Sequence, residues 1–374
     1  MTVDPLVTSK TDGPVESLAS NTSKPRSDKM RAIVQETYGS SDVFRLAAID
    51  PPEIAANEVL VDVAAAGMDR GTWHSMAGKP YLMRIMGFGF RRPKNRVPGL
   101  DVSGTVVAVG SEVTRFHPGD EVFGMSRGAF AEYAAVREDK LAHKPPNLSF
   151  EQAAVVPISG GTAIQGLRDS GHIETGQTVL VIGASGGVGT YAVQLAKAYG
   201  AEVTGVSSPA KVDLVRSIGA DHVLDYTRDD YLDGSKKYDL ILDIGGNNGL
   251  SRLRRALTPN GTLVIVGGEE GGSLTGGFGR QIRALLVSMF VSQRLTMLAS
   301  KERYTDLEAL SPLLDSGQVT PVVDRTYSLS DVPAAMKHLE AGVARGKIAI
   351  TIPHSTDLGS KEESGHMTRS GQVN

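Results

Sequence analysis

One stretch of the sequence, residues 178–188, constrains the fold more than any other. It runs from a strand-like apolar segment, 178–182, through Gly183 into a glycine-rich turn and a helix-forming segment. This order is what a dinucleotide-binding loop requires, because the turn brings backbone amides and a helix N-terminus to a pyrophosphate. The turn consists of Ala184, Ser185, Gly186, Gly187, Val188 and Gly189. The sequence therefore predicts a dinucleotide-binding βα unit here, with alanine at the first glycine of GxGxxG.

Two later glycines of this turn have specific roles in binding a dinucleotide. Gly186 lets backbone amides approach a phosphate with no Cβ in the way, and Gly189 lets the helix pack closely on the strand. The alternative is a structural glycine turn in another kind of βα unit.

The pattern on either side of this unit separates two kinds of structure. Short strands punctuated by Gly and Pro indicate a β-rich, barrel-like region up to about residue 150. Ser149 and Gln152 then form a capping-box pattern that opens a helix over 149–171. Beyond it strands and helices alternate, which predicts a parallel sheet with helices on both faces. The predicted elements are strands at 202–208, 221–226, 238–245 and 261–268 and helices at 209–220 and 250–260.

Composition excludes several functional classes. The net charge of −3 gives no electrostatic reason to expect binding to nucleic acid or to an anionic membrane. The chain has no cysteine, so disulfides, a catalytic cysteine and thiolate metal ligands are excluded. The polar segments 1–28 and 354–374 are expected to be disordered tails, and acidic residues in the first argue against a transit peptide. We expect a cytoplasmic protein.

In dinucleotide-binding folds, the residues that follow the second strand bind the adenosine ribose. A site for NAD places Asp or Glu there, whereas this chain has Ser207, Ser208 and Lys211. Hydroxyl groups and an ammonium suit a 2′-phosphate, and Tyr226 follows the next strand. We expect NADPH to be the cofactor. Two helix-cap serines and a solvated lysine are the alternative.

Four segments of the sequence resemble the motifs of one family. These are VLVIGASGGVGTYAVQLAKAYGAEVTGV, SIGADHVLDY, AVVPISGGTAIQGL and PGLDVSGTVVAVGSEVTRFHPGDEVFG. Together they resemble the zinc-independent quinone oxidoreductase branch of the medium-chain dehydrogenase/reductase superfamily, over about residues 30–352. The resemblance implies an α/β protein with a GroES-like β-barrel catalytic domain and a Rossmann domain with a doubly wound parallel sheet. The catalytic domain is expected at 29–155 with 320–353 returning to it, and the Rossmann domain at 156–319.

The residues at the metal-ligand positions of zinc-dependent relatives predict no metal. Ala66–Asp69 stand where a cysteine ligand is expected, and Leu100 stands in place of a histidine. Asp101 alone is not a site, and His74, His117 and His143 lie scattered among predicted turns.

Three residues are candidates for catalysis. Where the family usually has Asn, near the nicotinamide, this chain has Asp69, which we expect to accept from an amide nitrogen rather than bridge two groups. His74 is a candidate donor to a substrate carbonyl, with an exposed loop histidine as the alternative. Tyr81 is a weaker candidate, and Trp73, the single tryptophan, is either core or pocket wall.

The resemblance also implies further cofactor contacts and a dimer. The contacts are Thr162, Ser185, Gly187, Val188, Gly245, Gly267, Phe290, Ala344 and Arg345. The glycine-rich segment 267–279 is predicted to be a mobile loop that closes over the nicotinamide. The strand at 261–268 and the segment after it resemble the family's dimer edge, so we expect a homodimer.

These observations predict a zinc-free, NADPH-dependent oxidoreductase. Without a Lewis acid to stabilise an alkoxide, reduction of a polarised acceptor is the easier reaction, so quinones or α,β-unsaturated carbonyls are the expected substrates. One alternative is an enoyl-thioester reductase, for which the basic run Arg91, Arg92 and Lys94 is the only hint. The other is a non-catalytic NADPH-binding partner or sensor protein.

Overall fold

The fold is seen in a computed structural model that describes residues 29–245, 248–267, 272 and 277–353. Both predicted tails and most of the predicted 267–279 loop lie outside these residues.

The first sheet is built around its longest strand, β3. The strands before residue 150 are β1 (Met30–Val34), β2 (Arg45–Ile49), β3 (Glu58–Met68), β4 (Asp101–Val109), β5 (Glu121–Met125), β6 (Tyr133–Arg137) and β7 (Leu141–His143). Of these, β1 and β2 pair with each other in a separate two-stranded sheet, and the others belong to the sheet around β3. Because β3 pairs with β4 along one side and β6 along the other, most of its residues are buried.

Four short α-helices lie between residues 70 and 164. They are α1 (Arg70–Ala77), α2 (Tyr81–Met83), α3 (Phe150–Ala154) and α4 (Pro157–Ile164). The capping box at Ser149 is confirmed, because its hydroxyl accepts from Gln152 N and Gln152 Oε1 accepts from Ser149 N. The single helix predicted over 149–171 is instead divided into α3, α4 and a π-turn, with Pro157 opening α4.

The second sheet is parallel and has six strands among the described residues. Its strands are β8 (Thr178–Ile182), β9 (Glu202–Ser207), β10 (His222–Asp225), β11 (Tyr238–Asp243), β12 (Leu257–Ile265) and β13 (Arg294–Met297). They lie in the order β10-β9-β8-β11-β12-β13, the Rossmann order 3-2-1-4-5-6. The helices between them are α5 (Gly187–Ala198), α6 (Val212–Ser217), α7 (Leu250–Ala256) and α8 (Phe278–Ser288).

The sheet is covered on both faces, as its apolar strands predict. Val179 and Val181 of β8 belong to a core that includes residues of α4 and α5, whereas Leu180 and Ile182 belong to one that includes residues of α7 and α8. Successive side chains of a strand point to opposite faces, so β8 contributes to both cores.

One helix boundary predicted from the sequence is wrong. The segment 250–260 was expected to be helical throughout, but α7 ends at Ala256 and Leu257 already pairs with Tyr238 of β11. Pro259 disfavours a continuing helix because its ring clashes with the preceding turn.

The chain then returns to the first sheet. The last elements are α9 (Tyr304–Asp315), β14 (Val323–Ser328), α10 (Val332–Glu340) and β15 (Lys347–Thr351). β15 pairs with the end of β3, and β14 pairs with β15. This return brings Gly346 beside Gly186, so the glycine-rich turn of one sheet touches the last strand of the other.

Candidate active site

The glycine-rich turn has the geometry of a phosphate-binding loop. Gly183 ends β8 with φ +87°, a conformation that favours glycine, and a Cβ at Gly189 would lie 2.1 Å from Gly183 O. α5 begins at Gly187, and its N-cap Gly186 offers no side chain to the first-turn amides. These N–H groups and the helix dipole therefore face an open position that suits an anion.

Beside the turn a cleft opens at the carboxyl ends of the strands, which we call the carboxyl-edge cleft. Its volume is about 700 Å³. It is lined by Ile182, Gly183, Ser185, Val206, Ser207, Ser208, Lys211, Tyr226, Thr227, Arg228, Asp229, Asp230, Tyr231, Gly245, Asn248, Arg252 and Gly342. The cleft therefore brings together six of the predicted cofactor residues, Ser185, Ser207, Ser208, Lys211, Tyr226 and Gly245.

Lys211 is a cation of this cleft that is held by two backbone carbonyls. Its Nζ donates to the carbonyl oxygens of Gly342, at 2.8 Å, and Ala344, at 2.7 Å. Burial lowers the pKa of its ammonium, Asp324 raises it, and Arg345 lowers it again. A half-buried cation beside two serine hydroxyls matches the chemistry of a ribose 2′-phosphate.

The structure places other predicted cofactor residues outside the lining of this cleft. Thr162 Oγ1 lies 3.4 Å from Ser300 Oγ, and Phe290 is 84% exposed after α8. Gly267 accepts at its carbonyl from Arg280 Nη2 at 3.1 Å. Arg345 is exposed in the turn before β15, and Ala344 contributes only its carbonyl to Lys211.

Several charged residues of the cleft were missed at the level of sequence. Arg228 and Arg252 line it, and Arg252 forms an ion pair with Asp230. Both Arg228 and Tyr226 follow β10, so the available signal was the rule that side chains after parallel strands gather at one edge of the sheet.

Another arginine, Arg280, connects the loops that follow β11 and β12. Arg280 of α8 forms an ion pair with the buried Asp243 at the end of β11, and it donates to Asn248 O at 3.2 Å. With its bond to Gly267 O, one guanidinium holds three chain segments at the carboxyl edge.

Asp69 lies at the start of α1 and bridges two groups. Its Oδ1 accepts from Thr72 N at 3.1 Å, which caps the helix, and its Oδ2 lies 3.1 Å from Lys347 Nζ. The expectation that Asp69 would not bridge two groups is therefore wrong. Lys347 also lies 2.9 Å from Asp101 Oδ2, and burial raises the pKa of Asp101 to about 6 against the lowering effect of Lys347.

His74 is a helix residue and not the loop histidine of the sequence-based alternative. It lies on α1 because the Asp69 cap lets a helix begin at Arg70. Its Nδ1 donates to Lys79 O at 2.7 Å, so the neutral ring presents Nε2 as an acceptor. Trp73 packs against the barrel core and donates from Nε1 to Glu340 at 2.9 Å.

Tyr81 lies apart from the carboxyl-edge cleft. It is 42% exposed, and the Arg84 guanidinium stacks 4.7 Å from its ring centroid. Together with Ile85, Phe90 and Arg91 these residues line a separate cavity of about 440 Å³.

The described residues contain neither a candidate metal site nor a candidate membrane span. Within them, no three His, Asp or Glu side chains are grouped so that they could hold a metal ion. In the same part of the chain, no helix has the length and apolar character needed to cross a membrane.

Comparison with known proteins agrees with this architecture. The model of the alcohol dehydrogenase GroES-like domain matches residues 55–146, and that of the zinc-binding dehydrogenase family matches residues 218–350. The 2-methylene-furan-3-one reductase of Solanum lycopersicum is 34% identical, over 86% of this chain and 79% of the relative. The chloroplastic NADPH-dependent alkenal/one oxidoreductase of Arabidopsis thaliana is 35% identical over the same shares.

A solved structure leads to the same class of protein. The quinone oxidoreductase from Coxiella burnetii superposes with a TM-score of 0.76 at 28% identity, over 87% of this chain and 100% of that one. Fold and site thus define an oxidoreductase with a GroES-like barrel and a Rossmann sheet. The chain belongs to the quinone oxidoreductase-like branch of the medium-chain dehydrogenase/reductase superfamily.

Proposed function

We propose that this protein is an NADPH-dependent oxidoreductase that reduces α,β-unsaturated carbonyls or quinones without a metal. The observation that carries the proposal is the carboxyl-edge cleft, where Ser207, Ser208, Lys211 and Tyr226 meet beside the uncapped N-terminus of α5. The relatives named for enone and quinone reduction support the substrate class.

NADPH fits this cleft by the chemistry of its lining. In the lining, Lys211 with the hydroxyls of Ser207 and Ser208 suits the 2′-phosphate. The first-turn amides of α5, which follow the lining residue Ser185 in the chain, suit the pyrophosphate. When bound, the cofactor would supply one hydride, which carries two electrons, to an acceptor carbon or quinone. The residues of this chain bind and orient both reactants, and the proton that completes the reduction comes from water or a side chain.

His74 is the proposed donor to the substrate oxygen. Because its Nδ1 proton is committed to Lys79 O, only the protonated ring has a second N–H to give. Asp69 is assigned to holding α1 and Lys347, and Tyr81 to the separate cavity that it lines with Arg84 and Arg91.

The two-part domain division, a homodimer and a cytoplasmic location belong to the same proposal. Among the described residues β13 is the edge strand of the parallel sheet, and an edge strand is a position at which a second copy can pair.

A second candidate function is the reduction of enoyl thioesters. Ile85 and Phe90 are 72% and 71% exposed in the cavity they share with Arg91, which combines apolar surface and positive charge. An acyl chain that carries phosphate groups has the complementary chemistry.

The testing experiment measures the oxidation of NADPH and, in parallel, NADH with a simple enone, an ortho-quinone and an enoyl-CoA. Turnover of the enone or quinone with NADPH and little with NADH is expected. Preference for enoyl-CoA supports the second candidate. Tight NADPH binding without turnover on any acceptor identifies a binding or sensor protein and rejects the proposed enzyme.

A further inference from the structure

Lys347 is a fully buried lysine, and lysines are rarely fully buried in proteins. It is the first residue of β15 and only 1% exposed, with its Nζ 2.9 Å from Asp101 Oδ2 and 3.1 Å from Asp69 Oδ2. Both carboxylates are buried as well. A buried ion pair is weak evidence for stability, because desolvation offsets most of the attraction, so the cluster calls for another explanation.

Each carboxylate of the cluster also holds the beginning of a helix. Asp101 Oδ1 accepts from Ile158 N at 2.8 Å in the first turn of α4. Asp69 Oδ1 accepts from Thr72 N in the first turn of α1. A single ammonium therefore fixes two helix starts relative to β15.

The stem of the same lysine reaches the glycine-rich turn. A Cβ built on Gly187, the first residue of α5, would lie 2.9 Å from Lys347 Cδ. The preceding Gly346 donates from its N–H to Ser185 O at 3.0 Å. Lys347 thus contacts the turn proposed to hold the cofactor phosphates and, through Asp69, the helix that carries His74.

We propose that Lys347 is a positioning residue for hydride transfer, which holds the glycine-rich turn and α1 in one fixed relative placement. The inference rests on the proposed NADPH-dependent reduction. Lys347 is not part of the lining of the carboxyl-edge cleft, so the adenosine end of the cofactor is bound independently of it. Displacing reacting groups by about 1 Å costs about 100-fold in rate, so its loss lowers kcat and spares adenosine-end binding.

Three variants separate positioning from simple stability. Lys347→Met removes the ammonium but leaves two buried carboxylates together. Lys347→Met combined with Asp101→Asn removes one charge of each sign and so keeps the net charge of the cluster. Lys337→Met is the control, because Lys337 is 62% exposed and pairs with the exposed Asp42.

The measurements are kcat and KM with NADPH and an enone, the Kd of 2′,5′-ADP as a probe of the adenosine end, and the thermal unfolding midpoint. We expect kcat to fall about 10- to 100-fold in the single and double variants, with the Kd of 2′,5′-ADP within about twofold of wild type. The double variant should regain thermal stability but not kcat. Lys337→Met should match the wild type throughout.

Four results would overturn the inference. These are unchanged kcat in the single variant, kcat restored together with stability in the double variant, a loss of 2′,5′-ADP binding that parallels kcat, and failure of both variants to fold. In each case the lysine would serve stability or cofactor affinity alone. A wild-type protein that turns over no acceptor rejects the proposed function itself, which is a separate outcome.

Discussion

Lys211 donates from Nζ to the carbonyl oxygen of Ala344 at 2.7 Å, and this bond joins the loop after β9 to the turn before β15. A second bond reaches Gly342 O at 2.8 Å. An ammonium has three N–H donors, so one donor and the full charge remain for the carboxyl-edge cleft. The residue proposed to recognise the 2′-phosphate therefore also connects the Rossmann sheet to the segment that returns to the barrel.

The first prediction concerns cofactor choice at Ser208. A carboxylate at this position repels a 2′-phosphate and accepts from a free ribose hydroxyl, so Ser208→Asp should lower kcat/KM for NADPH by at least about tenfold and leave or improve that for NADH. Steady-state kinetics with both cofactors measure the change. Ser217→Asp, on the exposed end of α6, is the matched control. An unchanged preference for NADPH would place the 2′-phosphate elsewhere.

The second prediction concerns His74. Phenylalanine removes both ring nitrogens, including the Nδ1 that donates to Lys79 O, and preserves the edge-on ring contact with Trp73. If His74 donates to the substrate oxygen, His74→Phe should lower kcat for enone reduction by about 100-fold and leave the Kd of NADPH within about twofold of wild type. Pre-steady-state rates of NADPH oxidation and equilibrium binding of NADPH check it, and an unchanged kcat would contradict it.

The third prediction concerns Arg280 and Asp243. Removing the arginine leaves the fully buried Asp243 carboxylate without that cation, which costs about 3–5 kcal/mol in comparable buried pairs. Arg280→Met should therefore lower the free energy of unfolding substantially, and adding Asp243→Asn should recover part of it. Urea unfolding of both variants gives the coupling. Arg283→Met, on the same helix, is the control substitution.

The parallel sheet could be predicted from the sequence because the patterns that indicate it involve residues close together in the chain. A strand, Gly183 and a helix-forming segment follow one another directly, and the capping box spans only Ser149 to Gln152. Backbone geometry at such sites depends on neighbours within a few residues, so the pattern alone determines it.

Other features depend on contacts that sequence order hides. Lys347 meets partners 246 and 278 residues earlier in the chain, and no local pattern marks it. The sequence of α1 has little apolar periodicity, and Asp69 at its N-cap is the sequence signal that indicates a helix there. The extension of β12 back to Leu257 arises from pairing with β11, which overrides the helical pattern of 250–260.

The fourth prediction concerns the pH dependence of stability at Asp101. Burial raises the pKa of this carboxyl from 3.8 to about 6, Lys347 acts to lower it, and Asp69 acts to raise it. Ile158 N also donates to this carboxyl, and burial, with a contribution from the charge of Asp101, raises the pKa of Tyr191 on α5. Between the two pKa values the folded chain holds a proton that the unfolded chain has released.

The contribution of Asp101 to stability is therefore fully present below about pH 3.8 and is lost as pH rises through about 6. Relative to Asp101→Asn, which cannot titrate, the wild-type free energy of unfolding should decrease between about pH 4 and about pH 6 and stay level above about pH 7. Urea unfolding of both proteins across this range measures the difference. Asp213→Asn, at a 92% exposed side chain, provides the control. A difference that rose with pH would mean that Lys347, rather than burial, dominates the environment of Asp101.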